Sequence, residues 1–224
     1  MIEKRAENIE QLKRKLLRLC ALVEENTRRS VLAFRTRDRA AAAEIIKVDV
    51  EINELEISVE EDCVTLFDTL PRTPDDTRFI VAVLKINNDL ERIGDLATNV
   101  AGRVLHIGQH DQARFPQELL ALADRTIEMV TNSIDSFVDL DVALARRVCE
   151  SDKEVDRLNR IMYSVVQERI LDDPLQAEKF LNYLSVSRYL ERIADYATNI
   201  AEDVVYIGEG RIIRHQDHPE SLQT

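Results

Sequence analysis

Glu191, Asp195, Asn199 and Glu202 recur at helical spacing in the string LERIADYATNIAEDV, which begins at Leu190. At 100° per residue they fall within about 80° of arc on one face of a helix. All four offer oxygen donors. Glu91, Asp95 and Asn99 repeat the pattern in LERIGDLATNVA, which begins at Leu90. Upstream of each string lies another i,i+4 pair, Asp152 with Asp156 and Asp49 with Asn53. Carboxylates at i,i+4 repel by roughly 0.2–0.5 kcal/mol per pair. A helix selected for stability alone would carry Lys at one of the two positions. A bound cation turns the repulsion into attraction, and all-oxygen ligands suit hard cations: Mg²⁺, Mn²⁺, Ca²⁺, or iron, ferric especially. Neither Cys nor His lies in these motifs, which argues against a structural zinc site of the usual kind. A solvated charge face, offset by the adjacent Arg92 and Arg192, accounts for the same residues without metal.

Other residues carry less. His106 and His110 are four apart near the end of a helix, where solvent exposure explains them as well as a metal pair does. Tyr183, Tyr189 and Tyr196 read as packing residues, and His215 and His218 fall in a polar tail. The chain has no Gly-rich phosphate loop, GxSxG or HExxH motif.

The elements that must position the acidic strings are helices. The 224 residues include only five Gly and five Pro, no Trp, 45% hydrophobic and 32% charged residues. That composition predicts an all-α chain. Breakers divide it into six stretches: about 3–36, 39–70, 74–109, 116–139, 141–171 and 174–207. Pro74 follows Thr73 and Pro174 follows Asp173, an N-cap with Pro at the first helical position in both cases. The net charge of −12 and pI near 4.9 argue against a nucleic-acid binder, which needs a basic face. Three scattered cysteines, Cys20, Cys63 and Cys149, suit a reduced compartment. The longest apolar run, FIVAVL from Phe79, is too short to span a bilayer, and the N-terminus lacks a signal-peptide pattern. The expectation is a cytoplasmic protein that meets a membrane only through partners.

The chain is internally duplicated. Nine of twelve residues are identical between 90–101 and 190–201, and Asp49, Glu51 and Leu55 align with Asp152, Glu154 and Leu158 at an offset of 103. Long helices with short loops pack as antiparallel bundles. The expected fold is therefore all-α, two tandem three-helix bundles related by internal duplication, spanning 1–110 and 116–208, with a loosely ordered polar tail at 209–224.

The doubled Glu-Arg-Ile-Gly/Ala-Asp-x-Ala-Thr-Asn-Val/Ile-Ala string, with Asp152-Lys-Glu-Val-Asp156 upstream and the ending VVYIGEGRIIRH, resembles the PhoU family over essentially the whole chain. The resemblance implies tandem three-helix bundles that form homodimers, and multinuclear metal clusters held by E/DxxxD motifs, with iron first and zinc, magnesium or manganese as alternatives. It implies a cytoplasmic, non-enzymatic regulator of phosphate uptake. Such a regulator acts with a Pst-type phosphate ABC transporter and the PhoR–PhoB two-component system, and restrains the phosphate-starvation response. Carried over by position, one site uses Asp49, Glu91, Asp95 and Asn99. The other uses Asp152, Asp156, Glu191, Asp195 and Asn199, with Asn53 and Glu202 as possible additional ligands. Asn53 stands where the pattern expects Asp, and Gly102 where the second repeat has Glu202. The second bundle is therefore expected to bind metal more tightly, or to hold more ions.

Two other classes compete. A purely structural helical oligomer needs no metal. A di-metal carboxylate enzyme would carry Glu-x-x-His facing inward, whereas Gly94 and Ala194 stand three residues after the two Glu, and the carboxylates lie opposite the apolar side.

Overall fold

A computed structural model describes residues 2–69, 74–106 and 114–214. Six helices make up the fold: α1 Ile2–Thr36, α2 Arg39–Thr69, α3 Pro74–Val104, α4 Gln117–Asp139, α5 Val142–Asp172 and α6 Ala177–Glu209. A 3₁₀ turn, Pro174–Gln176, precedes α6. Asp173 caps that turn, its side chain accepting from Leu175 N–H. The cap expected there is present, although Pro174 opens the 3₁₀ turn and the α-helix itself starts three residues later. Thr73 lies outside the described residues. α3 ends five residues short of the expected 109, closing through the Leu105 N–H to Gly102 bond.

The duplication extends to the turns. Arg37 (φ 55°) and Leu140 (φ 51°) both adopt the left-handed conformation, 103 residues apart. In each case the next residue's N–H returns to the helix just ended, Asp38 to Ala33 and Asp141 to Ser136, both at 2.9 Å. Asp38 and Asp141 then cap the next helix, accepting from Ala41 and Leu144 N–H. A left-handed C-terminal residue followed by an Asp N-cap satisfies orphan groups of both helices within two residues.

Helices α1, α2 and α3 pack on one another, as do α4, α5 and α6, and α3 packs on α6 as extensively as helices do within either half. One apolar core runs through both halves. Leu90, Ile93, Ala97, Val100 and Ala101 on α3, with Leu190, Ile193, Ala197, Ile200 and Ala201 on α6, are almost entirely buried. Tyr183 is fully buried in an aromatic cluster with Phe34, Phe115 and Phe180, as a packing residue should be.

α3 and α6 run antiparallel. Lys85, early in α3, meets Asp203, late in α6, while Arg103 at the end of α3 meets Asn182 and Tyr189. A twofold that exchanges two adjacent antiparallel helices stands perpendicular to their common plane. The α2–α3 and α5–α6 grooves, which carry the acidic strings, therefore open on the same side of the molecule.

Candidate metal site

Along each groove the acidic residues are half-buried, except Asp195, which is exposed. In the first groove α2 supplies Asp49 and Asn53, and α3 supplies Glu91 and Asp95. Thr98 donates to Asp49 Oδ1 (3.2 Å), and Asn53 Nδ2 stands 3.5 Å from Asp49 Oδ2. Asn53 Oδ1 is buried without a hydrogen-bond partner. Burial, then the Asp95 charge, with Glu56 and Asp49 adding, raises the Glu91 pKa against the pull of Arg92. Burial and Asp49 raise that of Asp95, again against Arg92.

The second groove gathers Asp152 and Asp156 from α5 with Glu191 and Asp195 from α6. Burial and the neighbouring Asp156 raise the Asp152 pKa. Thr198 opposes this weakly, although neither its Oγ1 nor Asp152 Oδ1 has a hydrogen-bond partner, and both are buried. Burial, Asp156 and Asp152 raise Glu191. Burial and then Glu191, Asp152 and Asp156 push Asp195 up to about 7. The Asp195 residue is itself exposed, so water screens part of that repulsion.

The structure therefore brings together eight of the residues expected from the motifs, including Asn53. It moves three others away. Asn99 is exposed and no contact ties it to the first group. Asn199 donates to Asp89 on α3, in the seam between the bundles. Glu202 pairs with Arg214 (3.2 Å), whose other nitrogen reaches Asp203 (2.8 Å). Of the expected tail, the residues to Arg214 fold back onto α6, and 215–224, with His215 and His218, lie outside the described residues. His106 is exposed, its Nδ1 2.9 Å from Gly102 O, and His110 lies outside the described residues.

Sequence reasoning missed Glu56. It lies on α2 close enough to raise Glu91, and Asn87 holds it through its backbone oxygen (2.9 Å) and Oε1 (3.3 Å). Its duplicate is Asn159, bonded to Ser187, so a search for repeated acids passes over it. Glu56 restores to the first groove the charge that Asn53 removes: each groove gathers four carboxylates. The difference between them is in the cations. Arg92 pairs with both Glu91 (3.4 Å) and Asp95 (3.3 Å). In the second groove Arg188 and Arg192 act on Glu191 only through space, with no ion pair to it among the described residues, and Arg160 stands 3.9 Å from Asp156, a longer and single pair.

Hard oxygen donors, an orphaned carboxylate oxygen at Asp152 and raised carboxylate pKa values fit a hard cation. No three His, Cys, Asp or Glu side chains among the described residues stand close enough, as placed, to grip one.

The PhoU domain model matches this chain twice, over residues 16–104 and 119–204. The chain belongs to the PhoU family. This PhoU-family chain is 32% identical to the phosphate-specific transport system accessory protein PhoU homolog of Pseudomonas putida, covering 92% of the chain and 81% of that relative. It is also 32% identical to the homolog of Aquifex aeolicus, covering 93% and 94%. The crystal structure of PhoU from Pseudomonas aeruginosa superposes with a TM-score of 0.89 at 31% identity, covering 92% of this chain and 99% of that one. The PhoU regulatory protein of Streptococcus pneumoniae gives 0.81 at 27% identity, covering 93% and 99%. The two matched segments are the two three-helix bundles, so the duplication read from LERIGDLATNVA and LERIADYATNIA is the family's own repeat. Among the described residues no helix is long and apolar enough to cross a membrane.

Proposed function

We propose that this PhoU-family chain is a non-enzymatic, cytoplasmic accessory regulator of phosphate uptake. It acts on a Pst-type phosphate ABC transporter and a PhoR-type sensor kinase of a PhoR–PhoB pair, and restrains the phosphate-starvation response when phosphate is plentiful. The names of its relatives support the transport role. The paired acidic grooves carry the mechanistic part of the reading. Asp49, Glu56, Glu91 and Asp95 would hold metal in the first groove, and Asp152, Asp156, Glu191 and Asp195 in the second, with iron first and zinc, magnesium or manganese as alternatives. The metal would supply positive charge that cancels the repulsion among half-buried carboxylates and ties α2 to α3 and α5 to α6. Glu202 stays outside that set while Arg214 engages it.

The test is complementation. In a host deleted for its own PhoU, the wild-type chain returns a phosphate-starvation reporter to repression in high phosphate, and a variant with both Asp95 and Asp195 replaced by Ala does so poorly. A reporter left fully induced by the wild-type chain, expressed and folded beside its cognate transporter, contradicts the regulatory role.

A further inference from the structure

One arginine beyond α6 touches two different regions of the molecule. α6 ends at Gly210, whose left-handed conformation (φ 69°) turns the chain back on the helix. Ile213 packs against the core. Arg214 Nε then stands 3.2 Å from Glu202, and a terminal guanidinium nitrogen 2.8 Å from Asp203. The two acids are adjacent in sequence but belong to different places. Asp203 lies in the seam between the bundles, where Lys85 of α3 reaches it at 3.4 Å. Glu202 lies on the second groove. Burial and then the Glu202 charge, with Asp152 adding, push the Cys149 thiol on α5 up to about 11, so the groove continues from Asp152 past Cys149 to Glu202.

Glu202 follows Thr198 by four residues, which places their Cβ atoms about 5–6 Å apart. A helical side chain leans toward the N-terminus of its helix, here toward Thr198. Thr198 Oγ1 and Asp152 Oδ1 are both buried without a hydrogen-bond partner. Glu202 is within a turn of these two oxygens and is drawn to Arg214 instead. The first groove has no such arrangement, because Gly102 and Arg103 stand where the second repeat has Glu202 and Asp203.

Resting on the metal reading of that groove, we propose that Arg214 gates it: Glu202 either pairs with Arg214 and holds the tail, or turns to Asp152 and Thr198 as a further donor to a divalent cation and lets the tail go. The two states exclude each other, since Arg214 and a divalent cation on one carboxylate would stand a few ångström apart and repel. With Glu202 turned away, Arg214 keeps only its hold on Asp203. Loading of the second groove is then felt in the seam between the bundles, through the residue that serves both. The coupling is reciprocal: whatever the cation does to the tail, the docked tail does to cation affinity.

Mn²⁺ binding and tail cleavage test the gate, in full-length chains that all carry Asp95→Ala so that titration calorimetry reads the second groove. Arg214→Ala is expected to tighten Mn²⁺ binding by at least about fivefold, the lower end of ordinary coupling between two sites. In a Glu202→Gln background the same change should have little effect, which separates gating through Glu202 from the mere loss of a nearby positive charge. Saturating Mn²⁺ should speed trypsin cleavage after Arg214 by a similar factor, since Arg214 must leave its partners to enter the protease, and should leave cleavage of the Glu202→Gln protein unchanged. An Arg214→Ala effect of equal size with and without Glu202, or cleavage that Mn²⁺ slows or leaves alone, would overturn the gate while the metal groove still stands. Failure to find Mn²⁺ binding that depends on Asp195 would overturn both.

Discussion

Arg103 on α3 donates to the Tyr189 hydroxyl on α6 at 2.9 Å, with its guanidinium 5.6 Å from that ring's centre. The duplicated positions hold Asp203 and Asp89. One end of the seam between the bundles is thus a cation on a phenol, and the other a pair of buried carboxylates served by Lys85 and Arg214. The tail that supplies Arg214 has become part of the seam.

Replacing Arg214 by Ala leaves Asp203, which is 2% exposed, with Lys85 alone at 3.4 Å. The expected loss is about 1–3 kcal/mol, because a buried carboxylate loses a charged donor. Arg103→Ala removes contacts to two neutral acceptors, the half-buried Tyr189 hydroxyl and the longer one to Asn182 Oδ1, and should cost about 0.5–1.5 kcal/mol. Urea unfolding of the two variants ranks them, and an Arg103→Ala loss equal to or above that of Arg214→Ala would contradict this account of the seam.

Proton linkage follows from the crowded carboxylates. Asp195 and Asp89 are pushed up to about 7 from the 3.8 of a free Asp, burial being the larger cause in both. Groups with a raised folded pKa keep their proton in the folded state where the unfolded chain has lost it. Their contribution is fully present below pH 4 and is lost as pH rises through about 7. Metal-free protein, kept so with chelator, should therefore melt at a lower temperature at pH 8 than at pH 5.5. Metal reverses the trend, since ligation needs the ionised form: affinity should rise with pH through about 7. Thermal melts with and without Mn²⁺ at the two pH values check both signs.

The grooves should differ in how they meet metal. Arg92 sits between Glu91 and Asp95 as a built-in counter-charge, whereas among the described residues Arg192 forms no such pair and the second groove has only the longer Arg160–Asp156 pair at 3.9 Å. Asp195→Ala is therefore expected to remove more bound metal than Asp95→Ala. Arg92→Ala should raise metal retention at the first groove while changing stability by less than about 1 kcal/mol, the usual worth of an exposed pair. Elemental analysis of protein purified without chelator reads all three; equal losses from the two Asp variants would count against the asymmetry.

What was legible in the sequence is what short-range rules govern. Breakers such as Pro74, Pro116 and Pro174 divided the chain into six helices, and the apolar spacing around Ile93 and Ile193 marked the buried faces of α3 and α6. Asp173-Pro174 marked a helix start, and repeated acids at 91/95 and 191/195 marked the grooves. Glu56 was hidden because its role depends on α2 lying beside α3, and its duplicate had become Asn159. Asn199 shares the helical arc of Asp195, but the packing of α3 on α6 draws it to Asp89. Arg214 looked like part of a polar tail because the buried charge on Asp203 that recruits it is seen only once α6 is packed. Hydrophobic period predicts which face is buried, and not which polar residue a neighbouring bundle will claim.

The measurement that bears most directly on the acidic grooves is anomalous diffraction from crystals of the full chain grown with Mn²⁺ or iron. Peaks are expected between Asp152/Asp156 and Glu191/Asp195, with weaker peaks between Asp49 and Glu91/Asp95. Metal-soaked crystals without a peak in either groove, in a lattice that leaves both open, would contradict the account and return these residues to a solvated charge face.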